Sequence, residues 1–238
     1  MQGIGIFNDA GFEVHTRDKN ADIIYVSPSH MTRWGDVMSN KRRLELVEYS
    51  FNNNSTVIED DYENDFLYNV KPTPALFTLG HGNVIYIGSF SAMLLPGIRI
   101  SFMVLNDKLT KLYIQNKYKI AQTASKTEQI ALCQYIRDGH INSQTRKIRR
   151  LYSNKTKDFY SILKKEFPNA QISISENTLQ IIMSVKFDKD IEVFEKNSIS
   201  LFVEKYENGL ITIVLSPSGI PSSKLLEGAK TLRKTIER

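Results

Sequence analysis

The sequence has 238 residues, of which 41% are hydrophobic, so it can bury the core of one large domain or of two smaller ones. Its formal charge of +5 assists contact with an acidic partner without establishing one. No stretch approaches the roughly 20 apolar residues of a membrane span, and no export signal begins the chain, so we expect no membrane contact.

Cysteine and histidine usage excludes two further kinds of site. The single cysteine, Cys133, cannot form an intramolecular disulfide and fits a reducing cytoplasm, where we expect the protein to be located. It lies in an apolar helical pattern, which predicts a buried, inert thiol. No cysteine or histidine pair has metal-ligand spacing, so no metal site is predicted.

The first half of the chain alternates short apolar runs with helical patterns, which is typical of βαβ units. Strands are predicted over residues 11–15, 22–26, 56–60, 83–88 and 98–105, of which 22–26 and 98–105 read as buried. A helix is predicted over 41–51, with Asn40 as its cap and Leu44, Val47 and Phe51 on its apolar side. Such an order implies a largely parallel sheet with helices on its faces.

The second half has a different character. Helices are predicted over residues 108–120 and 126–167, the second broken near Gly139 and His140. Short strands follow at 171–175, 179–187 and 210–215. A last helix begins near residue 222, with Leu225, Leu226, Ala229 and Leu232 on one face. This order predicts a smaller α+β domain after a long connecting helix.

Basic residues gather in one predicted helix: Arg146, Lys147, Arg149, Arg150, Lys155 and Lys157. They form either a phosphate-binding stripe or the solvated face of that helix. The solvated face is favoured, because few aromatic side chains interleave as stacking platforms for bases.

Two predicted strands end in residues that suggest a ligand site. Acidic residues crowd positions 59–65 and require a cationic partner or contact with water. Hydroxyls follow the strand at 83–88, at Ser89 and Ser91, where they would form a phosphate cradle with the guanidinium of Arg99. In α/β sheets, ligands bind at the carboxyl ends of the strands, so both segments point to the same edge.

Residues 58–66 and 86–105 resemble fold-type-I enzymes that depend on pyridoxal phosphate (PLP). More narrowly, they resemble the aminotransferase-like effector domain of MocR-type transcription regulators of the GntR family. The run at 26–30, the pair Arg42-Arg43 and the triplet at 74–76 occur in the order of that family, and weaker resemblance continues from 123 to 151. The resemblance implies an α/β fold: a three-layer, mostly parallel sheet of a partial large domain (1–120), then a smaller α+β domain (121–238).

The resemblance also implies roles for individual residues. Asp60 would pair with the protonated ring nitrogen of PLP, and Tyr62 would donate a hydrogen bond to its phenolic oxygen. Ser89, Ser91 and Arg99 would hold the phosphate. His30 would lie in the loop that approaches the ring. As structural alternatives, Asp60 and its neighbour would cap a helix, and Arg99 would be a surface charge.

The sequence departs from the family pattern at the position of the Schiff-base lysine, which is Ala92. A methyl group cannot form an imine, so no catalytic residue is assigned. Arg33 and Trp34 replace proline and threonine in the loop after His30, and residues 211–218 lack the arginine that clamps a substrate carboxylate. The early large domain and the winged helix of the family have no counterpart in these residues.

Three hypotheses follow. The first is a non-catalytic effector-sensing domain of a MocR-type regulator, which binds PLP or a PLP–amino acid adduct non-covalently, or no cofactor. It would act as a homodimer and would contact DNA only through a winged-helix domain outside this chain. The second is a PLP-dependent transaminase in which Ala92 is an engineered substitution of the lysine. The third is a decayed structural module without a small-molecule site.

Overall fold

The computed structural model describes residues 6–8, 11–13, 21–31, 37–61, 73–80, 82–91, 93–94, 96–175 and 178–237. The chain forms two compact units, Met1–Thr145 and Arg146–Arg238. This division concerns compactness alone. The domain boundary at residue 120, which the family resemblance implies, stays a prediction. None of the helices in the described ranges is long and apolar enough to cross a bilayer.

The first unit contains a small antiparallel pair of strands and a four-stranded sheet. Its strands are β1 (Ile6–Asn8), β2 (Gly11–Glu13), β3 (Ile23–Val26), β4 (Thr56–Asp61), β5 (Val84–Ser89) and β6 (Ser101–Val104). The sheet has the order β3-β4-β5-β6. Strands β3, β4 and β5 are parallel, and β6 is antiparallel to β5. The predicted mostly parallel sheet is therefore confirmed.

The helices of the first unit are α1 (Asn40–Asn52), α2 (Leu76–Leu79), α3 (Asp107–Asn116) and α4 (Lys126–Arg137). Helix α5 (His140–Glu166) contains the boundary between the units. Gly139 separates α4 from α5 with a φ of 74°, a left-handed conformation that glycine adopts without strain. The predicted break in the long helix is confirmed at this residue.

One face of the sheet forms the core of the first unit. Ile24, Val57 and Val84 lie in register across β3, β4 and β5 and are fully buried. They pack in one cluster with Leu46 of α1 and Leu76 of α2. Each such side chain contributes about 1.5–3 kcal/mol relative to full exposure.

The opposite face of the sheet is exposed at its edges, which corrects the prediction that residues 22–26 and 98–105 are buried. Ile23 is 58% exposed, Tyr25 54% and Met103 57%. Side chains alternate across a strand, so only every second residue of β3 reaches the core. Strand β6 is an edge strand whose four residues are all exposed.

Helix α1 is rotated relative to its predicted orientation. Ser39, rather than Asn40, caps the helix, because its hydroxyl accepts the N–H of Arg42 at 3.4 Å. Leu44 and Phe51 are exposed, contrary to expectation. The buried side consists of Arg43, Leu46, Val47 and Ser50.

Cys133 is exposed, so its predicted burial is wrong. The buried residue of α4 is its neighbour, Leu132. Adjacent residues on a helix point about 100° apart, because 3.6 residues make a turn. The apolar pattern around Cys133 located the helix correctly but not the residue that faces inward.

The second unit is an α+β unit, as predicted, and its sheet is antiparallel. Its elements are β7 (Gln171–Ile174), β8 (Ile181–Lys186), α6 (Glu192–Lys196), β9 (Phe202–Glu207), β10 (Leu210–Leu215) and α7 (Leu225–Glu237). The strand order is β7-β8-β10-β9. Leu163 of α5, Ile211 and Ile213 of β10 and Ala229 of α7 are fully buried in its core. Leu226, predicted on the buried face of α7, is instead exposed.

The basic segment lies on the exposed side of α5. Arg146, Lys147, Arg150 and Lys157 are exposed, as a solvated face requires. Lys155 is half-buried, and its Nζ donates a hydrogen bond to the carbonyl of Ser218 at 2.9 Å. That lysine therefore ties α5 to the loop after β10.

Candidate functional site

The carboxyl ends of β3, β4 and β5 meet at one edge of the sheet, because these strands are parallel. Asp60 lies near the end of β4, Ser89 ends β5, and His30 lies in the loop after β3. Asp60 pairs in register with Ile87, two residues before Ser89, so Asp60 and Ser89 lie on the same face. The structure thus brings three of the predicted site residues to the edge where α/β sheets bind ligands.

Asp60 is half-buried on the exposed face and is held by a tyrosine. The hydroxyl of Tyr25, on the adjacent strand β3, donates a hydrogen bond to Oδ2 of Asp60. This bond holds the carboxylate at the sheet edge. Sequence reasoning missed Tyr25, since it read that strand as buried. The run Ile23-Ile24-Tyr25-Val26 has no apolar–polar alternation, so the sequence carries no signal that Tyr25 lies on the exposed face.

The crowded acids at the end of β4 are separated by the pleat of the strand. Asp60 points to one face, whereas Glu59 and Asp61 are buried on the other. Tyr86 of β5 donates its hydroxyl hydrogen to Oδ2 of Asp61 at 2.8 Å. Three consecutive carboxylates therefore have different environments, and only Asp60 is on the face that carries Ser89.

Glu59 fulfils the expectation that these acids require a cation. Its carboxylate lies 3.7 Å from Nη1 of Arg43, and both side chains are fully buried. Its two oxygens also accept the backbone N–H groups of Leu76 and Phe77, at 2.9 and 3.0 Å, where α2 begins. Arg43 in turn donates to the carbonyl of Pro74 at 3.1 Å. Residues 43 and 74–76, which the family resemblance picked out separately, therefore meet around Glu59.

Burial shifts the ionisation of both partners. Loss of solvent raises the pKa of the Glu59 carboxyl, against the opposing effect of its two backbone hydrogen bonds. The same loss of solvent lowers the pKa of Arg43, opposed by the charges of Glu59 and Asp61. The cluster lies one residue from Asp60 along β4. It therefore supports the position of Asp60 without contacting a ligand itself.

The loop between β5 and β6 forms the second part of the site. Ser89 pairs with Ser101, and the N–H of Phe90 donates to the carbonyl of Ile100 at 3.0 Å. Ser91 and Arg99 follow on the two strands, each two residues beyond the pair Ser89–Ser101 with which the ladder of β5 and β6 ends. The hydroxyl of Ser89 accepts the N–H of Ser91 at 3.2 Å, which turns the chain at that point.

Arg99 has a strained backbone and an exposed side chain. Its φ of 47° is in the left-handed region, which costs a non-glycine residue of order 1–3 kcal/mol and occurs most often at functional sites. Within the described residues, its guanidinium makes no hydrogen bond or ion pair. Ser89, Ser91 and Arg99 thus supply two hydroxyls and one guanidinium, a donor set that fits a phosphate.

Other predicted features lie outside the described residues. These are Tyr62, Ala92, Arg33 and Trp34. The stretch 211–218 without an arginine is described. Within it, the Thr212 hydroxyl lies 2.8 Å from the Ser184 hydroxyl on β8. This stretch therefore has a pair of neutral hydroxyls but no arginine side chain.

Two bacterial regulators are similar to the chain over most of its length. The uncharacterized HTH-type transcriptional regulator YdeL of Bacillus subtilis is 31% identical over 229 residues, which cover 91% of this chain and 49% of YdeL. The probable rhizopine catabolism regulatory protein MocR of Rhizobium meliloti is 27% identical, over 90% of this chain and 45% of that protein. The chain therefore spans about half the length of these relatives. No family model matches it.

Solved structures identify the fold. The crystal structure of the multiple substrate aminotransferase from Thermococcus profundus superposes with a TM-score of 0.70 at 22% identity, over 92% of this chain and 57% of that enzyme. An archaeal alanine:glyoxylate aminotransferase also superposes with a TM-score of 0.70, over 91% of this chain and 56% of that enzyme. The predicted fold class is confirmed.

Proposed function

We propose, on the premise that this chain is homologous to MocR-type transcription regulators and has the aminotransferase fold, that it is a non-catalytic effector-sensing domain. In this proposal PLP, or its adduct with an amino acid, binds without a covalent bond to the protein. The response to the effector is a shift between two conformations of the whole regulator.

The observation that carries this proposal is the set of phosphate donors near the sheet edge that carries Asp60. Ser89 is on the same face as Asp60, and Ser91 and Arg99 each lie two residues beyond the pair Ser89–Ser101 that ends the ladder. Among the residues that the structure describes, the guanidinium of Arg99 has no hydrogen-bond or ion-pair partner. In the proposed complex, Ser89, Ser91 and Arg99 bind the phosphate. Asp60, held by Tyr25, accepts a hydrogen bond from the protonated ring nitrogen. Tyr62 and His30 are proposed as further contacts to the ring.

The proposal that the domain is non-catalytic rests on the residue at position 92. When bound, PLP supplies an aldehyde that reacts with amines. Ala92 offers no amine, so the cofactor is held by hydrogen bonds and charge alone. The identity of 31% to an HTH-type regulator supports a regulator rather than a transaminase whose lysine was replaced.

Partners are proposed at the level of the whole protein. Large apolar side chains exposed on α3 and α4 support a homodimer through these helices; they are Leu112, Tyr113, Ile114, Ile130 and Ile136. DNA contact is proposed through a winged-helix domain, in keeping with the HTH-type names of the relatives and outside these 238 residues.

Equilibrium dialysis with PLP tests the proposal. We expect the wild-type chain to bind PLP and Arg99→Ala to bind it at least about tenfold more weakly, since a charge-assisted hydrogen bond to phosphate contributes about 1.5–3 kcal/mol. Arg137→Ala, an exposed arginine on α4, is the matched control and should bind as the wild type does. If the wild type fails to bind PLP, the cofactor part of the proposal is wrong.

A further inference from the structure

A surface pocket in the second unit lies apart from the sheet edge that carries Asp60. Its volume is about 390 Å³, within the range of roughly 300–1,000 Å³ that small-molecule sites occupy. The walls come from α5, the loop after α6, the end of β10 and the first turns of α7. All of the lining residues lie between Phe159 and Leu232, within the second unit, so the pocket is formed by that unit alone.

The floor of the pocket is apolar. Phe159 of α5, Leu215 of β10 and Leu232 of α7 are buried and line it. These side chains belong to the hydrophobic core of the unit, which fixes their positions. A ligand that reaches this floor gains by removing apolar surface from water, so the floor favours an aliphatic or aromatic group.

Two opposite charges stand at the rim. Lys224 and Glu227 are exposed and three residues apart, where a short 3₁₀ turn continues into α7. Residues with this spacing lie on one helix face, with about 5–6 Å between their Cβ atoms. Within the described residues, neither side-chain charge has a hydrogen bond or ion pair, so the two do not neutralise each other.

Two hydroxyls face the same pocket from the loop after α6. Ser198 and Ser200 line the pocket, and neither side chain makes a hydrogen bond within the described residues. Ser198 has a φ of 56°, a left-handed conformation at the end of α6 that redirects the loop toward the pocket wall. The rim thus combines one cation, one anion and two neutral donors above an apolar floor.

We propose that this pocket binds a free α-amino acid with an apolar side chain. The carboxylate pairs with Lys224 and the ammonium with Glu227, while the side chain rests on Phe159 and Leu232. A zwitterion fits this rim because its two charged groups are attached to one carbon atom and both must be matched. The inference rests on the proposed sensing function, and it supplies a carboxylate site in a unit whose residues 211–218 have no arginine.

Isothermal titration calorimetry with the PLP-free chain tests this pocket separately from cofactor binding. The probes are L-leucine, isopentylamine, which lacks the carboxylate, and 4-methylpentanoate, which lacks the ammonium. We expect leucine to bind at least about tenfold more tightly than either analogue, since each lost charge pair removes about 1.4 kcal/mol or more. Because no PLP is present, this outcome is independent of whether the chain binds the cofactor.

Charge-neutralising variants assign the two contacts. Lys224→Gln should reduce leucine affinity to about that of isopentylamine and leave isopentylamine binding unchanged. Glu227→Gln should reduce leucine affinity to about that of 4-methylpentanoate and leave the affinity for 4-methylpentanoate unchanged. Lys230→Gln, exposed on α7 and outside the pocket, is the control and should leave all three affinities as in the wild type.

Three outcomes would overturn the proposal. They are no heat of binding with millimolar leucine, equal affinity for leucine and both analogues, or a loss of leucine affinity in Lys230→Gln as large as that in the two pocket variants. All three variants change exposed side chains, so circular dichroism should show unchanged folding.

Discussion

Arg43 of α1 and Glu59 of β4 form a buried ion pair with 3.7 Å between Nη1 and Oε1. Neither charge has access to water, yet each is satisfied by further bonds. Arg43 Nε and Nη1 donate to the carbonyls of Met38 and Pro74, both at 3.1 Å. Glu59 accepts the first N–H groups of α2. The pair therefore fixes two loops and a helix start beside Asp60, the residue proposed to contact the cofactor ring.

Replacing Arg43 should destabilise the first unit strongly. Arg43→Met keeps the volume of the side chain but leaves Glu59 as an uncompensated buried charge, which costs about 3–5 kcal/mol. Arg42→Met is the matched control, because its half-exposed side chain pairs with Glu45 on the surface. That variant should lose no more than about 1 kcal/mol. Urea unfolding followed by circular dichroism measures both, and similar losses would contradict the role of the buried pair.

The stability of the chain should depend on pH through Glu59. Folding raises the pKa of this carboxyl above the ordinary value of 4.5, so the folded state holds the proton more tightly than the unfolded state. This contribution to stability is fully present below the unfolded pKa and is lost as pH rises through the folded pKa. Glu59→Gln cannot titrate at this position.

The unfolding free energy of the wild type minus that of Glu59→Gln should therefore fall as pH rises above about 4.5. Urea unfolding of both proteins in steps between pH 4 and pH 8 measures this difference. A difference that increases with pH would mean that the native pair lowers the pKa of Glu59. A constant difference would mean that folding does not shift it.

The same residues show how far the sequence predicted the structure. The order of most strands and of the longer helices, the parallel sheet and the edge that collects Asp60 and Ser89 follow from apolar periodicity and turn residues. The rotation of α1 about its axis does not follow from the sequence, because two apolar stripes, offset by one residue, both fit its pattern. The tertiary pair of Arg43 with Glu59 favours the orientation that exposes Leu44 and Phe51.

Missed elements have a similar cause. Strand β9 lies at the sheet edge, and three of its six residues are charged without a regular apolar alternation, so its composition resembles a loop. The turn that follows, Asn208-Gly209, has positive φ at both residues, and this dipeptide is a hairpin signal that would have revealed the strand. The bond between Tyr25 and Asp60 joins residues 35 positions apart, which no local pattern specifies.

Gly88 should tolerate no side chain while Phe102 is in place. A Cβ atom at Gly88 would lie 2.4 Å from Cζ of Phe102, so the ring must leave its contacts with Tyr86 and Phe90. Gly88→Ala should cost about 1–3 kcal/mol of unfolding free energy. Gly97→Ala, with no atom within 4 Å, should cost less than about 0.5 kcal/mol.

The double variant Gly88→Ala/Phe102→Ala checks the cause. Its loss of stability should be smaller than the sum of the two single losses, since the clash is absent without the ring. Additive losses would show that Gly88 is required for another reason.

Introducing a lysine at position 92 should restore covalent attachment if the site holds PLP as proposed. Ala92→Lys incubated with PLP should develop a yellow absorption band that survives dialysis, whereas the wild type should lose all PLP on extended dialysis. Ala92→Lys/Arg99→Ala should bind less cofactor at equal concentration, because the phosphate loses its cation. A band of equal strength in both variants would contradict the role of Arg99.

The apolar surface of α3 and α4 should mediate self-association. Five large apolar side chains on these two helices are exposed, and Ile130 on α4 is 72% exposed. Burial of exposed apolar side chains is favourable, so a concentration of them on two successive helices indicates an interface. Ile130→Asp places a charge in the proposed interface and should raise the dimer dissociation constant at least about tenfold, the cost of burying an unpaired carboxylate being several kcal/mol.

Size-exclusion chromatography with light scattering, over a range of concentrations, measures the molar mass of each protein. Leu151→Asp is the control, since Leu151 is also exposed but lies on α5, outside the α3–α4 surface. It should leave the dimer intact, and both variants should keep the unfolding free energy within about 0.5 kcal/mol, as surface substitutions do. A monomeric wild type, or equal dissociation of both variants, would show that α3 and α4 do not form the interface.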